Sequence, residues 1–415
     1  MNIAMISYHT CPLAVLGGKN TGGMNVYVRE LTRFLGRTGV HVDVFTRSQD
    51  EHIPQVSHDL GYFNRVVHIP AGPETDLNKK HLAQYTGEFA QRIIKFAEKK
   101  HMHYDLVHSH YWLSGLAGKV LKDAWNVPML QMFHTLGLMK QRVGRTAEEQ
   151  EGAYRIEGEC FVMQSADRII ASTRAELTQL ENLYGLNHQK VAIIPPGVDI
   201  HHFYPIPPDE AKEAIGISTN ERMALFVGRI EPLKGVDTLI RAMAIVKHKC
   251  RNFVCPHYLV IIGGDPEEDE EKLSAEMRRL QTLCRDLGLD EIVLFLGKRA
   301  QNTLPYYYSA AEVVVMPSFY ESFGMVALEA MACGTPVIAS RVGGLALLVK
   351  DGVTGYFVPA QDPEALAQRL RTVFINEDLR KQLGIQAAAY ASDFSWERIT
   401  AQILNVYQTM VQTKS

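Results

Sequence analysis

A chain of 415 residues is longer than one hydrophobic core ordinarily organises, and it implies two domains of about 200 residues each. The balance of 43 Lys plus Arg against 46 Asp plus Glu argues against a general nucleic-acid binder. Cys11, Cys160, Cys250, Cys255, Cys284 and Cys333 are scattered with no Cys-x-x-Cys pair, so neither a zinc site nor a disulfide framework is indicated, as suits a reducing cytosol.

The first residues, MNIAMISYHT, read directly as a strand, with no signal peptide and no apolar run of membrane-spanning length, so a soluble cytoplasmic protein is expected. Strand and helix then alternate: strands at 3–7, 41–45, 66–70, 105–110, 128–134, 168–172 and 191–194, with helices at about 24–37, 79–99, up to 125, and ending near 165. Short apolar strands separated by longer helical stretches imply a parallel sheet covered on both faces. Pro195, Pro196 and Gly197, followed by Pro205, Pro207 and Pro208, interrupt the pattern and read as the domain connection. Strands return at 223–227, 258–262, 292–296 and 313–316, with helices at 236–247 and 266–287, and the chain is helical after Pro359. The expected organisation is α/β: a Rossmann-like domain over 1–198, a second over 199–390, and a C-terminal helix in 391–415 that could cross back to the first. Ligands in such sheets sit beyond the carboxyl ends of the strands, so the active site is expected in the interdomain cleft.

The most informative stretch is PSFYESFGMVALEAMACGTPVIAS, residues 317–340. A strand feeding a helix through a Gly-containing turn leaves the first helical N–H groups unpaired, and such an end attracts phosphate. Glu321 and Glu329 bracket it; carboxylates repel phosphate and are better explained as acceptors for hydroxyls. A nucleotide sugar offers both a diphosphate and hydroxyls. The alternative is two solvated helix charges. FVGRIEPLKG, residues 226–235, puts Arg229 and Lys234 after a strand of the same domain, where two cations can neutralise a departing diphosphate; two exposed loop cations are the bland reading.

Gly17, Gly18, Gly22 and Gly23 lie between the first strand and helix, and either clamp a phosphate or merely connect. HSHYWLSG (108–115) and MFHTLG (132–137) follow strands. His134 is the candidate contact, whereas His108 and His110 read as structural. Lys79, Arg142, Arg145 and Arg155 either recognise a phosphate on a second substrate or are solvated helix charges.

Together these motifs resemble the retaining glycosyltransferases of family 4, with the two-domain GT-B fold, over about residues 1–400. The resemblance implies that Glu329 holds donor ribose hydroxyls and Glu321 the transferred sugar, with Phe323, Gly324, Met325 and Val326 serving sugar and diphosphate. It places Arg229, Lys234 and Gly23 on the diphosphate, Arg299 near the nucleobase and His134 on the donor sugar's 6-hydroxyl. Arg229, Lys234, His134 and Glu321 are the implied catalytic set. Transfer is implied to proceed by front-face attack, the leaving diphosphate taking the acceptor proton, with no required cofactor and magnesium dispensable.

Two subfamilies compete for the acceptor. GGMNVYV, LNKKHL, HSHYWLSG and HTL look like the enzymes that put N-acetylglucosamine on inositol phosphate in mycothiol synthesis. By that match Lys79, Tyr111, Thr135 and Arg155 bind the acceptor phosphate, with Asn25 on the acceptor side and Arg142 and Arg145 adding charge. ADRIIAST, IIPPGVD and SFYE look more like bacterial sucrose-phosphate synthases, which use UDP-glucose and fructose 6-phosphate, although Met24 departs from their Gly-Gly-Gln. The sucrose-phosphate assignment is the expected one, ahead of the inositol-phosphate one. Other readings are a lipid or polysaccharide glycosyltransferase and a non-enzymatic nucleotide-sugar sensor. No nucleic-acid partner and no stable membrane association are expected.

Overall fold

The computed structural model describes residues 1–14, 21–144, 152–249, 257–266 and 273–413. The chain divides into two compact units. One comprises Met1–Ala14, Gly23–Pro196 and the C-terminal segment from Trp396, and the other is built on Gly197–Ser395. Among the described residues no helix is long and apolar enough to cross a membrane.

The first unit holds β1 (Asn2–Ile6), β2 (His41–Arg47), β3 (Val56–Ser57), β4 (Asn64–Ile69), β5 (Leu106–His110), β6 (Met129–Met132), β7 (Arg168–Ala171) and β8 (Val191–Ile193). They form an eight-stranded sheet in the order β3-β4-β2-β1-β5-β6-β7-β8, parallel except where β3 pairs antiparallel with β4. The alternation of side chains along β1 explains why a continuous apolar run is needed. Ala4 and Ile6 enter a core with Phe45, Phe89 and Trp112, while Ile3 and Met5 enter the opposite core with Tyr27, Leu31 and Phe34. The C-terminal helix Trp396–Gln412 belongs to that second face. Its spaced residues Trp396, Ile399, Ile403, Tyr407 and Met410 are buried there.

The second unit holds β9 (Arg222–Val227), β10 (His257–Ile262), β11 (Val293–Gly297), β12 (Val313–Met316), β13 (Val337–Ser340) and β14 (Gly355–Val358). Their order is β11-β10-β9-β12-β13-β14, and every pairing is parallel. Again one strand feeds two cores: Met223 and Leu225 on one face, Ala224 and Phe226 on the other. The order reverses between β9 and β12, so the loops leaving these neighbours diverge and open a crevice at their carboxyl ends.

Several elements depart from expectation. The helix predicted over 79–99 is broken into Lys79–Leu82, a short turn Ala83–Tyr85, and Thr86–Lys99. Tyr85 leaves the helical region (φ −101°, ψ 1°), and its ring lies so close to Gly72 that a Cβ there would fall 2.7 Å away. That tertiary contact overrides the local periodicity. The proline-rich connection contains a helix, Pro208–Ala214, which starts on a proline because the first helical N–H needs no partner. β3 and β14 were not expected: two residues carry no periodicity, and Gly355 opens β14 where a strand signal is weakest. The helix expected over 266–287 is described over Ala275–Asp286, capped by Ser274, whose side chain accepts from the Met277 N–H.

Candidate active site

In the second unit the loops after β9, β12 and β13 are drawn together at the switch point. Lys234 ends the turn Pro232–Lys234 after β9, and Gly235 follows in the left-handed region (φ 65°). A Cβ on Gly235 would lie 2.2 Å from the Pro317 carbonyl oxygen, so only glycine lets the two loops approach this closely. The Phe319 N–H donates to the Leu233 carbonyl at 2.8 Å, and the Gly344 N–H donates to the Glu321 carbonyl at 2.9 Å.

This loop frame presents Glu321 to Lys234, whose Nζ donates to Glu321 Oε2 at 2.5 Å. Both side chains keep some exposure, 19% for Lys234 and 17% for Glu321, enough to be reached by a ligand. Gly324 (φ 104°) turns the chain into the helix Met325–Ala332, which has no acidic residue in its first turn. Its leading N–H groups therefore face an end whose partial positive charge is not cancelled within the helix. Glu329, one turn in, is buried, and its Oε2 accepts from the Tyr308 hydroxyl at 2.8 Å. Burial and the Glu329 charge hold the Tyr308 hydroxyl well above its ordinary range, so it remains a donor. Arg229 pairs with Glu231 at 2.7 Å on the more exposed rim of the β9 loop. Arg299 stands apart, after the edge strand β11. Its guanidinium donates to the Leu296 and Lys298 carbonyls, and its Nε to the Tyr307 hydroxyl at 3.1 Å. Phe323 is buried, whereas Met325 and Val326 are only partly so.

In the first unit the residues after β1, β5 and β6 converge. Asn25, buried in the helix Gly23–Arg37, donates to Thr10 Oγ1 at 2.7 Å and the Cys11 carbonyl at 2.8 Å, fixing the chain after β1. Gly23 begins that helix and is exposed. Tyr111 (φ 74°) and His134 (φ 62°) both adopt left-handed backbone, uncommon for such side chains and a mark of enforced geometry. At His134 the chain makes a three-residue turn, with the Thr135 N–H donating to the Phe133 carbonyl at 2.7 Å.

Arg155 is fully buried. Its Nε donates to Glu159 at 2.8 Å, and its Nη2 donates to the Thr135 carbonyl at 3.0 Å and to Thr135 Oγ1 at 3.1 Å. The same guanidinium lies 5.0 Å from the centre of the Tyr111 ring. Glu159 also accepts from the Gly137 N–H at 3.0 Å and from the Tyr184 hydroxyl. Thr135, Tyr111 and Arg155 are thus brought together, with Arg155 engaged by protein partners. Lys79 opens the helix Lys79–Leu82, and Arg142 is exposed on the helix Gly137–Val143. Gly17, Gly18 and Arg145 lie outside the described residues.

Comparison with known proteins gives this geometry its context. The model of the glycosyl transferases group 1 matches residues 208–390, and that of glycosyltransferase family 4 matches residues 21–202. The chain is 39% identical over 407 residues to a D-inositol 3-phosphate glycosyltransferase of Actinosynnema mirum, covering 98% of this chain and 96% of the relative. A protein of the same name from Kineococcus radiotolerans is 40% identical and spans 100% of this chain and 96% of its own length. Among solved structures, a sucrose-phosphate synthase from Thermosynechococcus elongatus superposes with a TM-score of 0.89 at 34% identity, covering 99% of both chains. The chain belongs to glycosyltransferase family 4. Its two doubly wound units are those of the GT-B fold.

In this glycosyltransferase, sequence reasoning missed three contributors to the site. Tyr308 was lost in the run YYYSA, because nothing local says which tyrosine turns to Glu329. Gly343 and Gly344 back the acidic loop: Cβ atoms there would fall 1.9 Å from the Glu321 carbonyl oxygen and 2.3 Å from Phe323 Cα. The adjacent Gly-Gly pair just after β13 was the available signal.

Proposed function

We propose that this glycosyltransferase moves a sugar, with retention, from a uridine-diphosphate sugar to a small phosphorylated acceptor, and that it works in the cytoplasm. The observation that carries the donor half is the Lys234–Glu321 pair at the open end of the helix Met325–Ala332. A cation and a helix N-terminus suit the diphosphate, while Glu321 and Glu329 suit hydroxyls. As the bond from the anomeric carbon to the diphosphate oxygen breaks, negative charge grows on the leaving group. Lys234, Arg229 and the helix end would stabilise it most at that moment, which is where electrostatic catalysis acts. The acceptor hydroxyl attacks the same face, and its proton passes to the departing diphosphate. Glu321 then orients the sugar and forms no covalent bond. No metal ion is assigned a role.

For the acceptor, inositol phosphate now stands ahead of fructose 6-phosphate, reversing the order expected from sequence. The support is the full-length relatives named for D-inositol 3-phosphate, joined to the motifs GGMNVYV and HSHYWLSG. On this reading N-acetylglucosamine is the transferred sugar, and Tyr111, Thr135 and Arg155 form the acceptor-phosphate region. For Arg155 that requires exchanging a protein partner for phosphate. The sucrose-phosphate reading is kept as the second, because the Thermosynechococcus enzyme is so near in structure.

UDP release from UDP-N-acetylglucosamine and from UDP-glucose, each with inositol phosphate or fructose 6-phosphate, tests both. Turnover confined to the first donor with inositol phosphate is expected. Turnover of UDP-glucose with fructose 6-phosphate alone would select the second reading. Silence in all four combinations would reject a small phosphorylated acceptor.

A further inference from the structure

Three histidines of the motifs HSHYWLSG and HTL form a chain in the core of the first unit, and the family resemblance gives a role, contact with the donor sugar, only to the last. His108 and His110 are fully buried on β5, and His134 is partly buried just after β6. His110 Nδ1 lies 3.0 Å from His134 Nε2, a hydrogen bond in which one ring must donate and the other accept. His108 packs on His110 with ring centres 4.2 Å apart, and its own Nδ1 is bonded to the Tyr407 hydroxyl at 2.7 Å. Tyr27 sets its ring edge against His134, centres 5.2 Å apart at 76°. His110 is therefore clamped and cannot turn over freely.

The direction of the His110–His134 bond follows from the other nitrogen of His110. Among the described residues, His110 Nε2 is buried with no hydrogen-bond partner. An orphaned buried N–H is rarer and more costly than an unused lone pair. The proton of neutral His110 accordingly belongs on Nδ1, from which it donates to His134 Nε2. With Nε2 occupied as an acceptor, a neutral His134 must carry its proton on Nδ1. Burial favours neutrality throughout the group, pushing His108 and His134 down to about 3 and His110 well below its ordinary value.

We propose that His110 is a positioning residue that fixes His134 in the Nδ1–H tautomer, so that His134 meets the transferred sugar as a neutral hydrogen-bond donor through Nδ1. This rests on the reading of His134 as a donor-sugar contact. It explains why a second buried histidine stands where an apolar residue would pack without an unpartnered nitrogen. A sugar oxygen, rather than a sugar proton, is then what His134 recognises.

The test is a two-bond ¹H–¹⁵N correlation spectrum of the imidazoles in full-length, ligand-free enzyme, with His134 assigned by its loss in His134→Gln. A protonated, pyrrole-type Nδ1 and an unprotonated Nε2 at His134 are expected. A protonated Nε2, or a fast average of both tautomers, would overturn the inference. Kinetics give an independent arm. His110→Leu, which keeps bulk but not the donor, is expected to lower kcat roughly tenfold or more while donor KM moves less than about threefold. His110→Asn, whose amide nitrogen can stand near the Nδ1 position, should recover most of that loss. Equal damage in the two variants, or none in His110→Leu, would also overturn it. If neither variant folds, the wild-type spectrum decides alone. Unaltered donor kinetics in His134→Ala would sink the underlying sugar-contact reading, a failure distinguishable because the wild-type tautomer does not depend on it.

Discussion

Lys234 and Glu329 look alike in sequence, as charged residues near a glycine, yet they sit in different environments and should fail differently. Lys234 is reachable and paired with Glu321, so it can follow charge as it moves onto a leaving diphosphate. Lys234→Ala is expected to lower kcat by about a hundredfold or more with a small change in donor KM, as befits a contact strongest in the transition state. Glu329 is buried and held by Tyr308, a fixed acceptor whose contact with ribose would not change during the reaction. Glu329→Ala is expected to raise donor KM about tenfold or more with kcat less affected. Steady-state kinetics separate these outcomes, and the reverse pattern would contradict both assignments. Arg155 carries a different lesson. Its type and position suggested a free phosphate ligand, whereas its guanidinium is enclosed by Glu159, Thr135 and the Tyr111 ring.

At the scale of elements, the site depends on loops that touch through backbone. The loop after β13 supports the loop after β12 by the Gly344 N–H to Glu321 carbonyl bond, at a separation that excludes a side chain on Gly343. Gly343→Ala adds a methyl 1.9 Å from that carbonyl oxygen at φ +46°, so the two loops must separate. It is expected to lower stability by about 1–3 kcal/mol. It should also reduce activity more than that loss of folded protein explains. Denaturant unfolding alongside kinetics checks this, and a variant as active and stable as the parent would show that the loops tolerate separation. Helix ends follow simpler rules. Thr173 accepts from the Glu176 N–H and Glu176 accepts from the Ser172 N–H, so donors at and just before the helix start are both satisfied.

For the whole molecule, the chain leaves its first unit at Pro196 and returns to it at Trp396, so the C-terminal helix completes a core begun at the N-terminus. That core contains the histidine chain, with Tyr407 of the helix bonded to His108 of β5. The unfolded histidines protonate near 6.5, while folded His108 and His134 stay neutral down to about 3 and burial holds His110 well below its ordinary value. Below pH 6.5 the unfolded state therefore binds more protons, and stability falls as pH falls. His108 and His134 should each cost about 2 kcal/mol at pH 5, at about 1.4 kcal/mol per pH unit, and His110 acts in the same direction. Glu176 works in the opposite sense, since burial pushes its carboxyl up to about 7 and its contribution recovers as pH drops from there. Two histidines outweigh one carboxyl, so the denaturation midpoint of the first unit should fall steadily between pH 7 and 5. A flat profile would mean that the cluster is hydrated or already protonated when folded.

Local regularities in the sequence determined most of the architecture. Apolar strands alternating with helical stretches carry the two doubly wound sheets, because burial on both faces demands that pattern wherever the chain runs. The Glu-x7-Glu stretch and GRIEPLKG likewise pointed to the loops that carry the proposed donor half, since a strand–glycine–helix turn has the same unpaired N–H groups in any context. Tertiary structure alone decided what depends on distant partners. It broke the helix at Tyr85 against Gly72, turned Tyr308 toward Glu329, tied Arg155 to Thr135, and joined His110 to His134. Periodicity reports which face of an element is buried. It is silent on which polar atom waits there when the hydrogen-bond partner lies far along the chain, as for His110 and His134, 24 positions apart.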